Sequence, residues 1–240
     1  DEGERFRKTD ITLPTYDVVI GNPPYGDYND KYKGLGEGKE FNRYEEYFIS
    51  RGLDSLKDEN SILVFVVPSG FLNTASDKAK HIIASKGILI DAYHLPEGTF
   101  PTTKVGTDII VMKNRERCID ETYGERWENL DKYQKEDVIF TELAKISDGK
   151  WFKDHPETVL GQIKTRTNKF GKEEDYVTVR DGKTIQDELN RISDLLNGGD
   201  GSSNQMEPVY PAVSKTDTTN SIEDALTYDI GFIVADYNGT

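Results

Sequence analysis

Tyr16-Asp17-Val18-Val19-Ile20-Gly21-Asn22-Pro23-Pro24-Tyr25 is the stretch on which the reading of this chain turns. The apolar run from Val18 to Ile20 predicts a short buried strand over 16–21, which passes directly into an amide, two prolines and an aromatic. Proline fixes φ and has no N–H, so such a corner presents carbonyl oxygens without competing donors. Asn22 adds a side-chain carbonyl, and Tyr25 adds a flat π-surface. A bare Pro-Pro would be only a stiff turn. Strand, amide, aromatic and Gly26 together describe a shallow pocket that grips a planar amine and stacks on its ring.

Working outward, residues 26–39 read as a loop. Gly34, Gly36 and Gly38 alternate there, but no strand precedes them and the spacing is not a nucleotide-binding fingerprint. Phe41, Tyr44, Phe48 and Leu56, with Tyr47 and Leu53 beside them, follow a helical period over 41–57. Ile62 to Val67 is a continuous apolar run, the pattern of a central parallel strand covered on both faces. Pro68-Ser69-Gly70 stops it at the carboxyl end, where open α/β sheets place their sites. A second helix fits 75–86 with Gly87 as its C-terminal cap, followed by strands over Ile88–Leu95 and Thr107–Met112.

Beyond residue 116 the pattern weakens. Residues 116–137 are charged and read as helical or irregular, and 183–197 suits a short amphipathic helix through Ile185, Leu189, Ile192, Leu195 and Leu196. Gly198–Asn204 reads as a linker. Asp181-Gly182-Lys183-Thr184 is no phosphate loop, because Val177 stands where its first glycine is needed.

The chain has 240 residues and a net charge of −14, of which residues 1–115 carry −3 and residues 116–240 carry −11. An acidic chain makes a poor self-sufficient DNA-binding domain, so strong duplex contacts are expected from other segments. Cys118 is the only cysteine, which excludes an internal disulfide and a cysteine-based zinc site; it reads as an ordinary thiol. His81, His94 and His155 are scattered without ligand spacing, which argues against a metal. His81 reads as structural, and His94, near a strand end, could approach the corner but has no defined partner in the sequence. No apolar run approaches the roughly eighteen residues of a membrane span, and the chain reads as cytoplasmic.

Asn22-Pro23-Pro24-Tyr25 resembles the fourth motif, Asn/Asp-Pro-Pro-aromatic, of S-adenosylmethionine-dependent amino-methyltransferases. The chain looks most like the adenine-N6 DNA methyltransferases of restriction-modification and large phage- or plasmid-type methylases. Gly98-Thr99-Phe100-Pro101-Thr102-Thr103-Lys104 is similar to their eighth motif, an aromatic-Pro entering a short hairpin. The resemblance implies an α/β fold: the C-terminal half of a Rossmann-like methyltransferase sheet with a terminal antiparallel hairpin, then a less regular acidic extension. It also implies methyl transfer to the N6 of a flipped adenine. Asn22 Oδ1 and the Pro23 carbonyl would take the amine hydrogens and localise its lone pair, with Pro24 stiffening the corner. Tyr25 and Phe100, with Pro101, would hold the base, and Lys104 is a candidate DNA contact.

The same resemblance implies S-adenosylmethionine as cofactor and no metal. Double-stranded DNA would be the partner through the full-length protein, alongside further domains of the same polypeptide for target recognition, with a nuclease or helicase as further candidates, in a bacterial or phage/plasmid setting. It divides the chain into a catalytic half (1–115), an acidic, partly helical extension (116–197), and a linker with the start of a further unit (198–240). The family's first, cofactor-binding motif has no room before Tyr16. The chain alone is therefore expected to be inactive, with a sheet open beside its first strand. The tetrapeptide also serves protein glutamine-N5 and RNA guanine-N2 methyltransferases, and a non-catalytic, decayed methylase module is a further alternative; Phe100-Pro101 and the glycine loop favour DNA adenine.

Overall fold

The strand β1 (Val18–Gly21) pairs in parallel with β2 (Ile62–Pro68), Val18 opposite Ile62 and Gly21 opposite Phe65. β4 (Thr107–Asn114) lies antiparallel to β2 on its other side, and β3 (Gly87–His94) lies antiparallel to β4. A last strand, β7 (Phe232–Ala235), adds antiparallel to β1, giving the order β3-β4-β2-β1-β7. The computed structural model describes residues 15–27, 40–100, 105–167, 171, 173–196 and 232–235. The glycine loop at 28–39, Pro101, Lys104 and the linker at 198–204 lie outside them. The expected α/β sheet with its terminal antiparallel pair is present. The expected open edge at β1 is not: β7 occupies it.

Helix α1 (Tyr44–Asp54) crosses from β1 to β2, and α2 (Gly70–Asn73) and α3 (Lys78–Lys86) lead from β2 to β3. α1 starts where the Glu46 carboxylate accepts from the N–H groups of Asn42 and Arg43, satisfying donors that the first turn leaves over. Ile49 and Leu53 of α1 and Ile83 and Ala84 of α3 pack on Leu63, Phe65, Val67, Ile110 and Met112. Each large side chain fully buried here stabilises by about 1.5–3 kcal/mol relative to exposure.

The opposite face is thinner. Burial alternates along β2, and Ile62, Val64 and Val66 are only half-buried, while Ile20 of β1 is 43% exposed. The apolar runs of β1 and β2 therefore predict cover on both faces, and the structure supplies it fully on one. At the β3–β4 end this second face carries a separate core of Tyr93, Leu95 and Leu160, over which α6 (Ile185–Leu196) lays Leu189, Ile192 and Leu195.

Gly87 does cap α3, but with φ near −116° instead of the left-handed conformation of a glycine cap. Its reason is space: a Cβ there would stand 2.7 Å from Met112 Cε and 2.8 Å from Leu53 Cδ1. Residues 115–129 form two short 3-10 turns, and the charged sequence after them forms α4 (Lys132–Lys145), longer than its composition suggests. Buried Glu142 of α4 accepts from the Leu89 N–H (2.6 Å), where a bulge interrupts the β3–β4 ladder. Arg115, also buried, donates to the carbonyls of Ala84 and Gly87, and its Nη2 stands 3.6 Å from Glu142. Burial pushes the Glu142 carboxyl up and the Arg115 guanidinium down, each held partly in check by the other. Ile146 and Trp151, the latter in α5 (Lys150–Asp154), complete the main core. An antiparallel hairpin follows, β5 (Gln162–Thr167) with β6 (Glu173–Thr178), which the sequence did not announce.

Candidate functional site

β1, β2 and β3 run in one direction and β4 runs against them, so Asn22, Ser69, His94 and Asp108 all fall at one end of the sheet. Asn22 and Pro24 are exposed, Pro23 is buried and Tyr25 is half-buried. The Tyr25 hydroxyl lies 2.6 Å from Asn22 Oδ1, to which it donates, and 3.3 Å from the Val66 carbonyl on β2. An amide oxygen has two lone pairs, so this bond orients Asn22 and leaves one acceptor position open. The Pro23 carbonyl takes no hydrogen bond among the described residues. Burial, then the charges of Glu45 and Asp108, push the Tyr25 hydroxyl up to about 12, which keeps it a donor.

The corner is clamped from α1. Glu45, buried at 2% exposure, accepts from the Gly26 N–H (3.1 Å) and from Arg43 Nε. The Tyr44 N–H in turn donates to the Gly26 carbonyl (2.9 Å). Gly26 turns there with φ of +108°, a conformation open to glycine at no steric cost. Sequence reasoning missed Glu45; its only signal was an acidic residue in the first turn of a helix, which usually serves the helix dipole alone.

Behind the corner lies a second group. His94 closes β3 and Asp108 is the second residue of β4, directly opposite each other in the ladder. His94 Nδ1 contacts Asp108 Oδ1, which also accepts from Ser69 Oγ at 2.9 Å. Asp108 is fully buried, and among the described residues its Oδ2 has no hydrogen-bond partner. The His94 ring packs 5.0 Å from that of Phe152. His94 thus has the partner that the sequence did not reveal. Ser69 and Asp108 both approach the same ring nitrogen, so the three do not form a nucleophile–base–acid relay.

Phe100 packs half-buried on the second core beside Ile109 and Leu189. No ring contact joins it to Tyr25 among the described residues. Pro101 and Lys104 lie outside the described residues. His81 is exposed on α3, and the His155 ring lies against Trp151 (4.3 Å). A cleft of about 290 Å³ opens beside Ser69, Asn73, His94 and Gly106 and is lined as well by Arg166 and Tyr176 of the hairpin. The larger cleft, about 680 Å³, surrounds the Arg115–Glu142 pair at the other end of β3 and is remote from the corner. Among the described residues no cluster of three or more metal-ligating side chains occurs, and no helix is long and apolar enough to cross a membrane.

Residues 1–99 match the family of Eco57I restriction-modification methylases. This bears out the resemblance to restriction-modification methylases drawn from Asn22 to Tyr25. No curated protein matches the chain. Among solved structures, it is similar to the type I restriction-modification methyltransferase subunit of Streptococcus thermophilus, at 17% identity over 57% of this chain and 33% of that one, with a TM-score of 0.36. It is similar too to the M protein of the type I restriction enzyme EcoKI, at 13% identity over 86% of this chain and 53% of that one, with a TM-score of 0.37. The chain spans between a third and about half of the length of these two proteins.

Proposed function

We propose that this chain supplies the catalytic, base-holding part of a DNA methyltransferase that modifies adenine N6 within a restriction-modification protein. The observation that carries this reading is the exposed Asn22 amide, aimed by the Tyr25 hydroxyl (2.6 Å) beside a Pro23 carbonyl that takes no hydrogen bond among the described residues. Two acceptors on a rigid corner draw the two hydrogens of an aromatic amine toward them. The nitrogen then pyramidalises, and its lone pair leaves the ring π-system. Tyr25 and the partly exposed Phe100 are the aromatics against which the flipped base stacks, at about 1–3 kcal/mol per base. That is comparable with the few kcal/mol that extrusion of one nucleotide costs.

S-adenosylmethionine, when bound, supplies an electrophilic methyl group. The described residues suit only that end of it: carbonyl oxygens and an aromatic face are good neighbours for a sulfonium. In the cleft beside Ser69 every carboxylate is engaged: Glu97 and Glu174 hold Arg166, and Asp175 accepts from the Thr165 hydroxyl. The rest of the cofactor, the double-stranded DNA contacts and target recognition belong in this reading to other parts of the protein.

The test is Asn22→Ala in the full-length protein, with labelled cofactor and either DNA or cell protein as acceptor. Methyl transfer to DNA adenine is expected from the wild type and not from the variant, with cofactor binding unchanged. Transfer to protein glutamine or to RNA instead would replace the substrate assignment, and equal activity of the variant would remove Asn22 from the mechanism.

A further inference from the structure

We propose that Glu45 is a positioning residue for methyl transfer: from the first turn of α1 its carboxylate holds the peptide unit between Tyr25 and Gly26, and thereby the orientation in which the corner meets its amine. The inference rests on the functional reading above and extends it to a residue outside the tetrapeptide. In this role Glu45 touches neither the base nor the methyl donor. It acts through the backbone that carries Tyr25.

Three observations carry it. First, Glu45 does not serve the start of its own helix. Glu46 takes the N–H groups of Asn42 and Arg43 there, and among the described residues the Glu45 carboxylate accepts from no N–H of α1. Its oxygens are engaged elsewhere, Oε2 with the Gly26 N–H (3.1 Å) and Oε1 with Arg43 Nε. Second, the residue is 2% exposed, and a buried charge is costly unless hydrogen-bonding partners meet it. Arg43 meets one oxygen and the corner meets the other. Third, the hold on Gly26 is double: its carbonyl accepts from the Tyr44 N–H (2.9 Å), and the next residue, Asp27, forms an antiparallel bridge to Arg43. The corner is thus anchored to the start of α1 within two residues of Tyr25.

The plane of the held peptide is set by ψ of Tyr25 and φ of Gly26, so a bond that fixes its N–H restrains both torsions. Gly26, without a Cβ, is the residue of the corner freest to turn, and its φ of +108° persists only where partners hold it. With that peptide fixed, the Tyr25 ring stays where its hydroxyl reaches Asn22 Oδ1 (2.6 Å) and the Val66 carbonyl (3.3 Å). After burial itself, the Glu45 charge is the largest influence on the Tyr25 hydroxyl, so the two groups share one environment. Without the bond to Gly26, ring and amide sample other orientations, and fewer encounters with the amine are productive.

The experiment compares wild type, Glu45→Gln and Glu45→Asp in the full-length protein, at a temperature where all three are folded. Gln keeps an oxygen at the right reach for the Gly26 N–H but no charge, and Arg43, 45% exposed, is free to turn its guanidinium into water. Asp keeps the charge and is one methylene too short. Glu45→Asp is expected to lower the maximal rate about tenfold or more, the scale of a small misplacement, with KM for DNA and for the methyl donor unchanged. Glu45→Gln should stay near the wild-type rate. A carboxylate that only stabilises the fold would lower the unfolding temperature and leave the rate of the folded molecules untouched. NMR of the Asn22 side-chain amide reads the same difference without turnover: its signals should move in Glu45→Asp and hold their place in Glu45→Gln. A wild-type rate in Glu45→Asp, or a Glu45→Gln as slow as Glu45→Asp, overturns the proposal. Wild-type transfer to protein or RNA in place of DNA refutes the substrate reading while leaving Glu45 to be scored on that amine; no transfer to any amine refutes both.

Discussion

The Tyr25 hydroxyl and the Asn22 amide oxygen, three residues apart on one turn, are joined by a 2.6 Å hydrogen bond in which the phenol is the donor. The tyrosine of the corner therefore does more than offer a ring. It fixes which way the neighbouring amide faces.

Tyr25→Phe keeps the ring and removes the donor. We expect a folded protein weakened by about 0.5–1.5 kcal/mol, the usual net worth of one hydrogen bond. Methyl transfer should fall several-fold, mainly in the maximal rate. Because the folded hydroxyl is pushed up to about 12 from an ordinary 10, the folded state holds its proton where the unfolded chain has lost it. This contribution to stability is complete below pH 10 and disappears as pH rises through 12. Denaturant titrations at alkaline pH should show a steeper fall in wild type than in Tyr25→Phe; parallel curves would deny Tyr25 that role.

Lys80 gives the opposite slope. Its ammonium is buried in α3, donates to the Thr74 carbonyl (2.6 Å) and lies 5.8 Å from the Phe71 ring centre. Burial pushes it down to about 8, against the pull of Asp77, Asp148 and Glu46. Between pH 8 and 10.5 the unfolded chain holds more protons than the folded one, so this group raises stability with pH across that window. Replacing it in Lys80→Met should flatten the slope there, and an NMR titration of the Lys80 side chain should find its midpoint near 8.

Gly87→Ala tests the close approach of α3's end to the sheet. The added methyl meets Met112 Cε at 2.7 Å and Leu53 Cδ1 at 2.8 Å. Overpacking of this kind costs about 1–3 kcal/mol. Thermal unfolding should show that loss, and combining the change with Met112→Ala should recover part of the added strain, measured against Met112→Ala alone. A neutral Gly87→Ala would mean the two side chains swing aside freely.

The corner and the strands around it were legible because their signals are local. Asn22 to Tyr25 is spelled out in adjacent residues, and the apolar runs of β1 and β2 announce strands whatever surrounds them. What those runs could not tell was coverage: Val64 and Val66 look identical in sequence to Leu63 and Phe65, yet only the latter pair is sealed. The β5–β6 hairpin escaped because both strands are largely solvated, so Lys164, Arg166, Glu173 and Asp175 mask any alternation. Glu142 reads as one more charge on an acidic helix until its carboxylate is seen capping a bulge 53 residues away. The His94–Asp108 pair depends on antiparallel register, which no spacing rule encodes.

That register has an evolutionary corollary. One rung of the β3–β4 ladder pins both members of the pair, while the chain between them makes its excursion and returns. Insertions or exchanges within that excursion leave the rung in place. The stretch holding Phe100 can therefore change in length or composition while the histidine and its carboxylate stay put.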